Sequence, residues 1–258
     1  MPMLAWVYES AAVSDAEIRK LLRDPTELFS RAVQPVLWLA VFGQVFSQVR
    51  GIPTGSLRYL DYLAPGILAQ SILFSAIFYG IAIIWERDLG IVHKLLVTPA
   101  RRSSLVLGKA IAAGLRGLVQ AAVVYLVAAV LQVQIRWECS AILMVIAGVF
   151  VGSCIFSTFS LVIACIVKTR ERFMGIGQLL TMPLFFASNA IYPLEIMPPW
   201  LRSIALFNPL TYLVDTLRGA MIVGGASIHS ASLNFGVMVA VFGSLLVLAS
   251  RLYPGLAR

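Results

Sequence analysis

The sequence predicts an all-α, polytopic membrane protein: six transmembrane helices, an N-terminal amphipathic helix at the interface, and a re-entrant segment of half-helices on the outer face. Three observations predict it. Of 258 residues, 60% are hydrophobic and 12% charged, where soluble domains average roughly 45–50% and about 25%; the mean hydropathy is +0.90. Six apolar runs approach or exceed the roughly 20 residues that cross about 30 Å of hydrocarbon, at 32–49, 63–84, 110–133, 141–167, 173–191 and 231–250. Lysine and arginine are also unevenly shared among the segments between these runs. With the N-terminus inside, fourteen fall on cytoplasmic segments and five outside, with Arg116 left within a span. That bias places both termini in the cytoplasm.

Residues 1–31 form a cytoplasmic amphipathic segment, and 32–258 a single transmembrane domain. No cleavable signal peptide is evident in the charged, mixed N-terminus. Ser14-Asp15-Ala16-Glu17 reads as a capping box. Ile18, Leu21, Leu22, Leu28 and Phe29 recur at roughly helical spacing, and Asp24-Pro25 suits the end of one helix and the start of the next. Such a helix either rests at the lipid headgroups or also meets a cytoplasmic partner. The first span is the weakest, interrupted by Gln34, Pro35, Gln44 and Gln48, and is expected to be tilted or shielded by neighbours.

Between the second and third spans, in the loop 85–109, Leu89, Val92, Leu95 and Leu96 make an apolar stripe that Pro99 stops. Ser103 or Ser104 is placed to cap the third span. The result is a short helix lying across the cytoplasmic ends of two spans, either a plain connector or the element that receives a push from a soluble subunit. The fourth span carries Cys154 and Cys165 without a CxxC spacing, so both read as packing residues. After the fifth span, the stretch 192–215 should not cross. It holds Pro193, Pro198, Pro199 and Pro209 with Glu195, Arg202 and Asn208, and each interior proline costs a helix about 3 kcal/mol. Half-helices entering from the outer face fit it. Beyond them Leu213, Leu217 and Met221 line an interfacial helix on which Asp215 and Arg218 are spaced to pair.

The chemistry that is missing narrows the function. No span holds Asp, Glu or His near its midpoint, which argues against intramembrane catalysis, proton relays and ion-driven transport. His93 and His229 lie on opposite sides, so no metal site and no catalytic residue is assigned. Gly108-Lys109 is not a P-loop, because Ser103 stands where glycine is needed and Ala110 where Ser or Thr is needed. The net charge of +8 is dispersed between apolar runs, which suits anionic lipid rather than nucleic acid. Arg116 lies near the cytoplasmic end of its span, where it can snorkel to the interface, and a structural role is expected for it. Two polar and aromatic stripes remain: Gln70, Ser71, Phe74 and Phe78 on the second span, and Gln178, Thr181, Met182, Phe185 and Asn189 on the fifth. They either line a pathway for an amphiphile or pack helix against helix.

The loop ending Leu95-Leu96-Val97-Thr98-Pro99 and closing with Gly108-Lys109 resembles the cytoplasmic loop of ABC-type export permeases, the group of drug, lipo-oligosaccharide and polysaccharide exporters. So, more closely, does Tyr192-Pro193-Leu194-Glu195-Ile196-Met197-Pro198-Pro199-Trp200-Leu201 followed by Phe207-Asn208-Pro209-Leu210-Thr211-Tyr212. The resemblance spans essentially the whole chain. It implies two copies of this permease in the cytoplasmic membrane, working with two separate ATP-binding subunits that hold ATP and Mg2+. It implies docking of those subunits on the N-terminal helix and on Glu86, Arg87, Leu95, Leu96, Thr98, Pro99, Arg101 and Arg102. It further implies a central pathway bordered by the first, second and fifth spans, and an outer gate at Pro193, Glu195, Pro198, Pro199, Asn208 and Pro209. The rival expectation is a membrane assembly or scaffold protein with no transport cycle.

Overall fold

The computed structural model describes residues 2–23, 33–47, 55, 57–98, 100–167 and 169–257, and every structural statement below concerns these. They form an all-helical bundle. Helix α1 runs Pro2–Arg23 without a break. Ser14 lies in its middle and is buried, so the expected capping box does not form. The turn Asp24-Pro25, with Leu28 and Phe29, lies outside the described residues. Helix α2, Val33–Ser47, contains a π-helical stretch at Trp38–Gly43. Its aromatic residues recur every four positions, and Trp38, Phe42 and Phe46 lie ring on ring at 4.5 and 4.3 Å.

Helix α3 spans Tyr59–Asp88, and Gly90, in the left-handed region at φ 73°, turns the chain into the short α4, Ile91–Val97. Then come α5, Arg102–Val130, α6, Cys139–Ile166, and α7, Arg170–Phe186, whose first turn is capped by Thr169. The proline-rich stretch folds as a 3-10 turn at Leu194–Ile196, then α8, Pro199–Phe207, and α9, Pro209–Met221. Helix α10, Ala231–Leu252, closes the bundle.

Four segments are long and apolar enough to cross a membrane: Tyr59–Asp88, Arg102–Val130, Cys139–Ile166 and Ala231–Leu256. The other two expected crossings coincide with the shorter α2 and α7. Helix α6 is the post of the bundle, contacted by α3, α5, α9 and α10, while α1 lies along α5 and α7 rests mainly on α3. The apolar interior falls into two main clusters. The larger includes Leu63, Ile67, Ile72, Phe156, Leu213 and Leu217, and the smaller, toward α4, gathers Ile83, Ile84, Val92, Phe173 and Tyr253. At the other end the chain leaving α7 crosses α3 at Gly66, where an added Cβ would sit 2.1 Å from the Ala190 carbonyl oxygen. Only glycine allows that approach.

Candidate functional site

The site begins where α3 ends. Leu89 and Gly90 alone separate α3 from α4, and their N–H groups bond back to the carbonyls of Trp85 and Arg87, both at 2.9 Å. Helix α4 is therefore fixed to the span before it rather than hung on a loose loop. Most of its stripe turns inward: Val92 is fully buried, and Leu95 and Leu96 pack half-buried against the smaller core cluster, whereas Leu89, before the helix, is 68% exposed. The Thr98 hydroxyl donates to the Leu95 carbonyl at 2.6 Å and closes the last turn. Pro99 lies outside the described residues. Arg101 and Arg102 are exposed at the start of α5.

Helix α1 supplies what the end of α5 lacks. The expected caps Ser103 and Ser104 lie inside the helix, and no side chain at the N-cap position bonds inward. Glu9 reaches across instead, accepting from the Arg101 N–H at 3.0 Å and the Ser104 hydroxyl at 2.7 Å. The Ser104 hydroxyl and the Arg101 N–H hold its carboxyl below the usual range, as suits an anion at a helix N-terminus. Trp6 donates its indole N–H to Ser103 at 3.1 Å.

One turn deeper lies a buried ionic cluster that links three helices. Lys109 on α5, 2% exposed, donates to Glu17 on α1 at 2.9 Å and to Glu86 on α3 at 2.6 Å. Lys20 bridges the same two carboxylates, at 3.2 Å to Glu17 and 2.5 Å to Glu86. Arg116 completes the set at 3.6 Å from Glu17. Its role is structural, as expected: it lies within reach of that carboxylate, and the Tyr79 ring offers its face 5.0 Å from the guanidinium carbon. Burial disfavours the Glu17 carboxylate most strongly. The charge and hydrogen bond of Lys109, joined by Lys20 and Arg116, outweigh that penalty and bring its pKa down to about 2.

The cluster can form because α1 lies unusually close. A Cβ on Gly108 would sit 2.6 Å from the Ser10 carbonyl oxygen and 2.7 Å from the Val13 Cβ, so Gly108 is the crossing point and Lys109 the next residue in line. Across the same face, Asp88 accepts a forked pair of bonds from Arg170 at 2.8 and 3.1 Å. Arg170 stacks on Trp85, 4.0 Å from its centroid, and Arg87 reaches the Val167 carbonyl at 3.3 Å. The start of α7 is thereby tied to the end of α3.

The two polar stripes divide. Gln70, Ser71, Thr181, Phe185 and Asn189 are buried, Phe74 is half-buried, and Phe78, Gln178 and Met182 are exposed on the uncovered side of α3 and α7. Ser71 and Thr181 spend their hydroxyls on the carbonyls of Leu68 and Gly177 in their own helices. Trp38 of α2 meets Phe185 edge-on at 6.1 Å, which brings the first, second and fifth apolar segments together.

In the proline-rich segment, Pro193 and Pro198 precede the 3-10 turn and α8, and Pro199 and Pro209 occupy first helical positions, where a missing N–H costs nothing. Glu195 is exposed. Asn208 holds the break between α8 and α9. It accepts from the Leu210 N–H at 3.0 Å and donates to the carbonyls of Leu184 and Ala187 at 2.6 and 2.9 Å. Asp215 and Arg218 do not form the expected pair. Asp215 instead takes the N–H groups of Ile228 and His229 at 2.7 and 2.9 Å, the Ser227 hydroxyl at 3.0 Å and the Asn234 amide at 2.9 Å. Arg218 stacks 3.7 Å from the Tyr62 centroid and donates to the Asn189 carbonyl at 2.7 Å.

Sequence reasoning missed Glu9, Glu17, Lys20 and Lys109 as site residues. A signal existed: Lys109 stands between Val106, Leu107, Ala110 and Ile111, and a lysine in such a setting needs a carboxylate partner.

The chain is 29% identical over 201 residues to a putative transport permease, ycf38, of Cyanophora paradoxa, covering 77% of this chain and 69% of that one. It is 23% identical over 233 residues to nodulation protein J of Neorhizobium galegae, covering 88% and 87%. To nodulation protein J of Rhizobium leguminosarum bv. viciae it is 24% identical over 213 residues, covering 82% and 80%. The family model described as ABC-2 type transporter matches residues 8–222, most of the chain including α4, the ionic cluster and the segment broken at Asn208, and the protein therefore belongs to the ABC-2 type transporter family.

Proposed function

We propose that this chain is the membrane-spanning subunit of an ATP-driven exporter, powered by separate ATP-binding subunits and moving a hydrophobic or amphiphilic molecule such as a drug, lipid or lipid-linked glycan. It works in the cytoplasmic membrane as a pair of identical copies, each crossing six times with both termini inside. The observation that carries the reading is one face of the bundle, which the reading puts in the cytoplasm: α4, Glu86 and α1 are joined into one solid piece at the end of an apolar span, in a chain whose sequence has no nucleotide-binding loop. A soluble motor that displaces α4 displaces α3 with it. Differential contact with the motor's nucleotide states is what coupling requires. The exposed sides of α3 and α7, with Phe78, Gln178 and Met182, suit a shared central pathway between copies, and the Asn208 hinge an outer gate.

The test is copurification. The detergent-extracted chain brings down a cognate ATPase, and reversing charge at Arg101 and Arg102, or breaking α4 with proline, weakens that complex. Variants that bind and stimulate ATP hydrolysis normally would remove the coupling assignment, and a chain that captures no ATP-binding protein would favour the scaffold reading. Phe74→Ala and Phe185→Ala are expected to alter cargo-stimulated ATPase activity at normal expression. Unchanged cargo dependence in both would mean that these rings only pack.

A further inference from the structure

The ionic cluster is larger than anchoring one surface helix requires. Two carboxylates and three cations from α1, α3 and α5 meet inside the bundle, with Lys109 and Glu17 both nearly inaccessible. Isolated charges in such a place are costly, and removing one partner of a buried pair strands the other, so the three helices resist separation at this point. Two of the three have direct reach to the coupling surface. Glu86 sits on the last turn of α3, two residues of linker away from α4. Glu17 belongs to α1, whose Glu9 grips the start of α5. The load path from α4 therefore has two branches, up α3 and sideways into α1, and Lys109 stands at their junction.

From this geometry we infer that Lys109 is a positioning residue that locks α1 to α4 through Glu17 and Glu86, so that both helices move as one rigid block when the motor changes state. This rests on the exporter reading and adds to it: α1 is a driven part of the mechanism, displaced with α4, rather than a passive float on the bilayer. Gly108 is its structural companion, since without the close crossing the Lys109 ammonium would not reach Glu17.

The experiment measures the distance between spin labels at two exposed positions, Ala12 on α1 and His93 on α4, in a chain with its three cysteines replaced. The chain is assembled with its ATPase subunit in a hydrolysis-deficient form. The wild-type background gives one distance, unchanged between the nucleotide-free and Mg-ATP-bound complexes. Lys109→Met and Glu86→Gln are expected to give a distance that shifts on ATP binding, and Lys109→Arg to behave as wild type, which a purely structural loss would not predict. A wild-type distance that itself shifts with ATP overturns the inference, as does a fixed distance in both charge-removing variants. Should Lys109→Met fail to fold, Glu86→Gln decides, because it is isosteric and leaves the Lys109–Glu17 pair in place. If the wild-type chain binds no ATPase, the exporter reading fails instead. The lock is then judged on the permease alone, by whether the same distance changes with Lys109→Met.

Discussion

Adding one methyl group at Gly108 should lift α1 from the bundle. The Cβ of Gly108→Ala would meet the Ser10 carbonyl oxygen at 2.6 Å and the Val13 side chain at 2.7 and 2.9 Å. Ordinary contact lies near 3.5–4.0 Å, so α1 must retreat by about 1 Å. That retreat stretches the Lys109–Glu17 bond from 2.9 Å to about 4 Å, beyond hydrogen-bonding range. Overpacking of this kind costs about 1–3 kcal/mol, and a weakened hydrogen bond between charged groups about 1.5–3 kcal/mol. Replacing glycine by alanine inside a helix returns about 1 kcal/mol. The balance is about 3 kcal/mol against docking, on the order of a hundredfold in the closed-to-open ratio of α1. Maleimide labelling of Ser14→Cys reads it, because Ser14 is only 5% exposed when α1 is docked. In a background lacking Cys139, Cys154 and Cys165, the labelling rate should rise by about that factor with Gly108→Ala. A rate equal to that of the parent would refute both the crossing and the energetic reasoning.

Three further outcomes follow from the same contacts. Tyr79→Phe should be neutral or slightly stabilising in a thermal melt of the detergent-solubilised protein, since the hydroxyl has no hydrogen-bond partner, whereas Tyr79→Leu forfeits the stacked Arg116 and about 0.5–2 kcal/mol. Asp215→Ala strips four donors around residues 227–234 of their common acceptor; the Asn234 amide, the buried one of the four, costs about 1–3 kcal/mol when left unpaired, and the loss should expose that stretch to protease at temperatures where the parent resists. Acid should also free α1. Because the Glu17 pKa falls from 4.5 to about 2 on docking, its contribution is about 3 kcal/mol, complete above pH 4.5 and lost as pH falls from there toward 2. A spin label at Ser14 should gain mobility over that window, and Glu17→Gln should remove most of the pH dependence, leaving only the share of Glu9.

Much of the fold could be read from the chain because its signals are local. Apolar runs located α3, α5, α6 and α10 within a few residues, apart from about one extra turn at each end of α3 and about two at the start of α5, where charged residues continue the helix. Pro99 and the stripe from Leu89 to Leu96 announced α4, and the prolines announced the break at Asn208. The part that escaped is long-range. Glu17 and Lys109 lie 92 residues apart, and nothing in the periodicity of either helix names the other. The false capping box at Ser14 has the same origin: a serine followed three residues later by glutamate also describes a face that packs against another helix. Arg116 was legible as a structural cation, but its partner Glu17 sits on another helix far away in sequence. Gly108-Lys109, set aside as a failed phosphate loop, proved to be the place where α1 crosses.

The central placement of α6 bears on how such a protein can diverge. A helix gripped by α3, α5, α9 and α10 at once has little freedom to change, whereas α7 leaves Met174, Ile176, Leu179 and Met182 uncovered, and these can be rewritten while Phe173, Thr181 and Phe185 keep it on the bundle. Grafting α7 from a relative with different cargo should transplant selectivity and spare assembly, while the reciprocal graft of α6 should yield a chain that no longer folds.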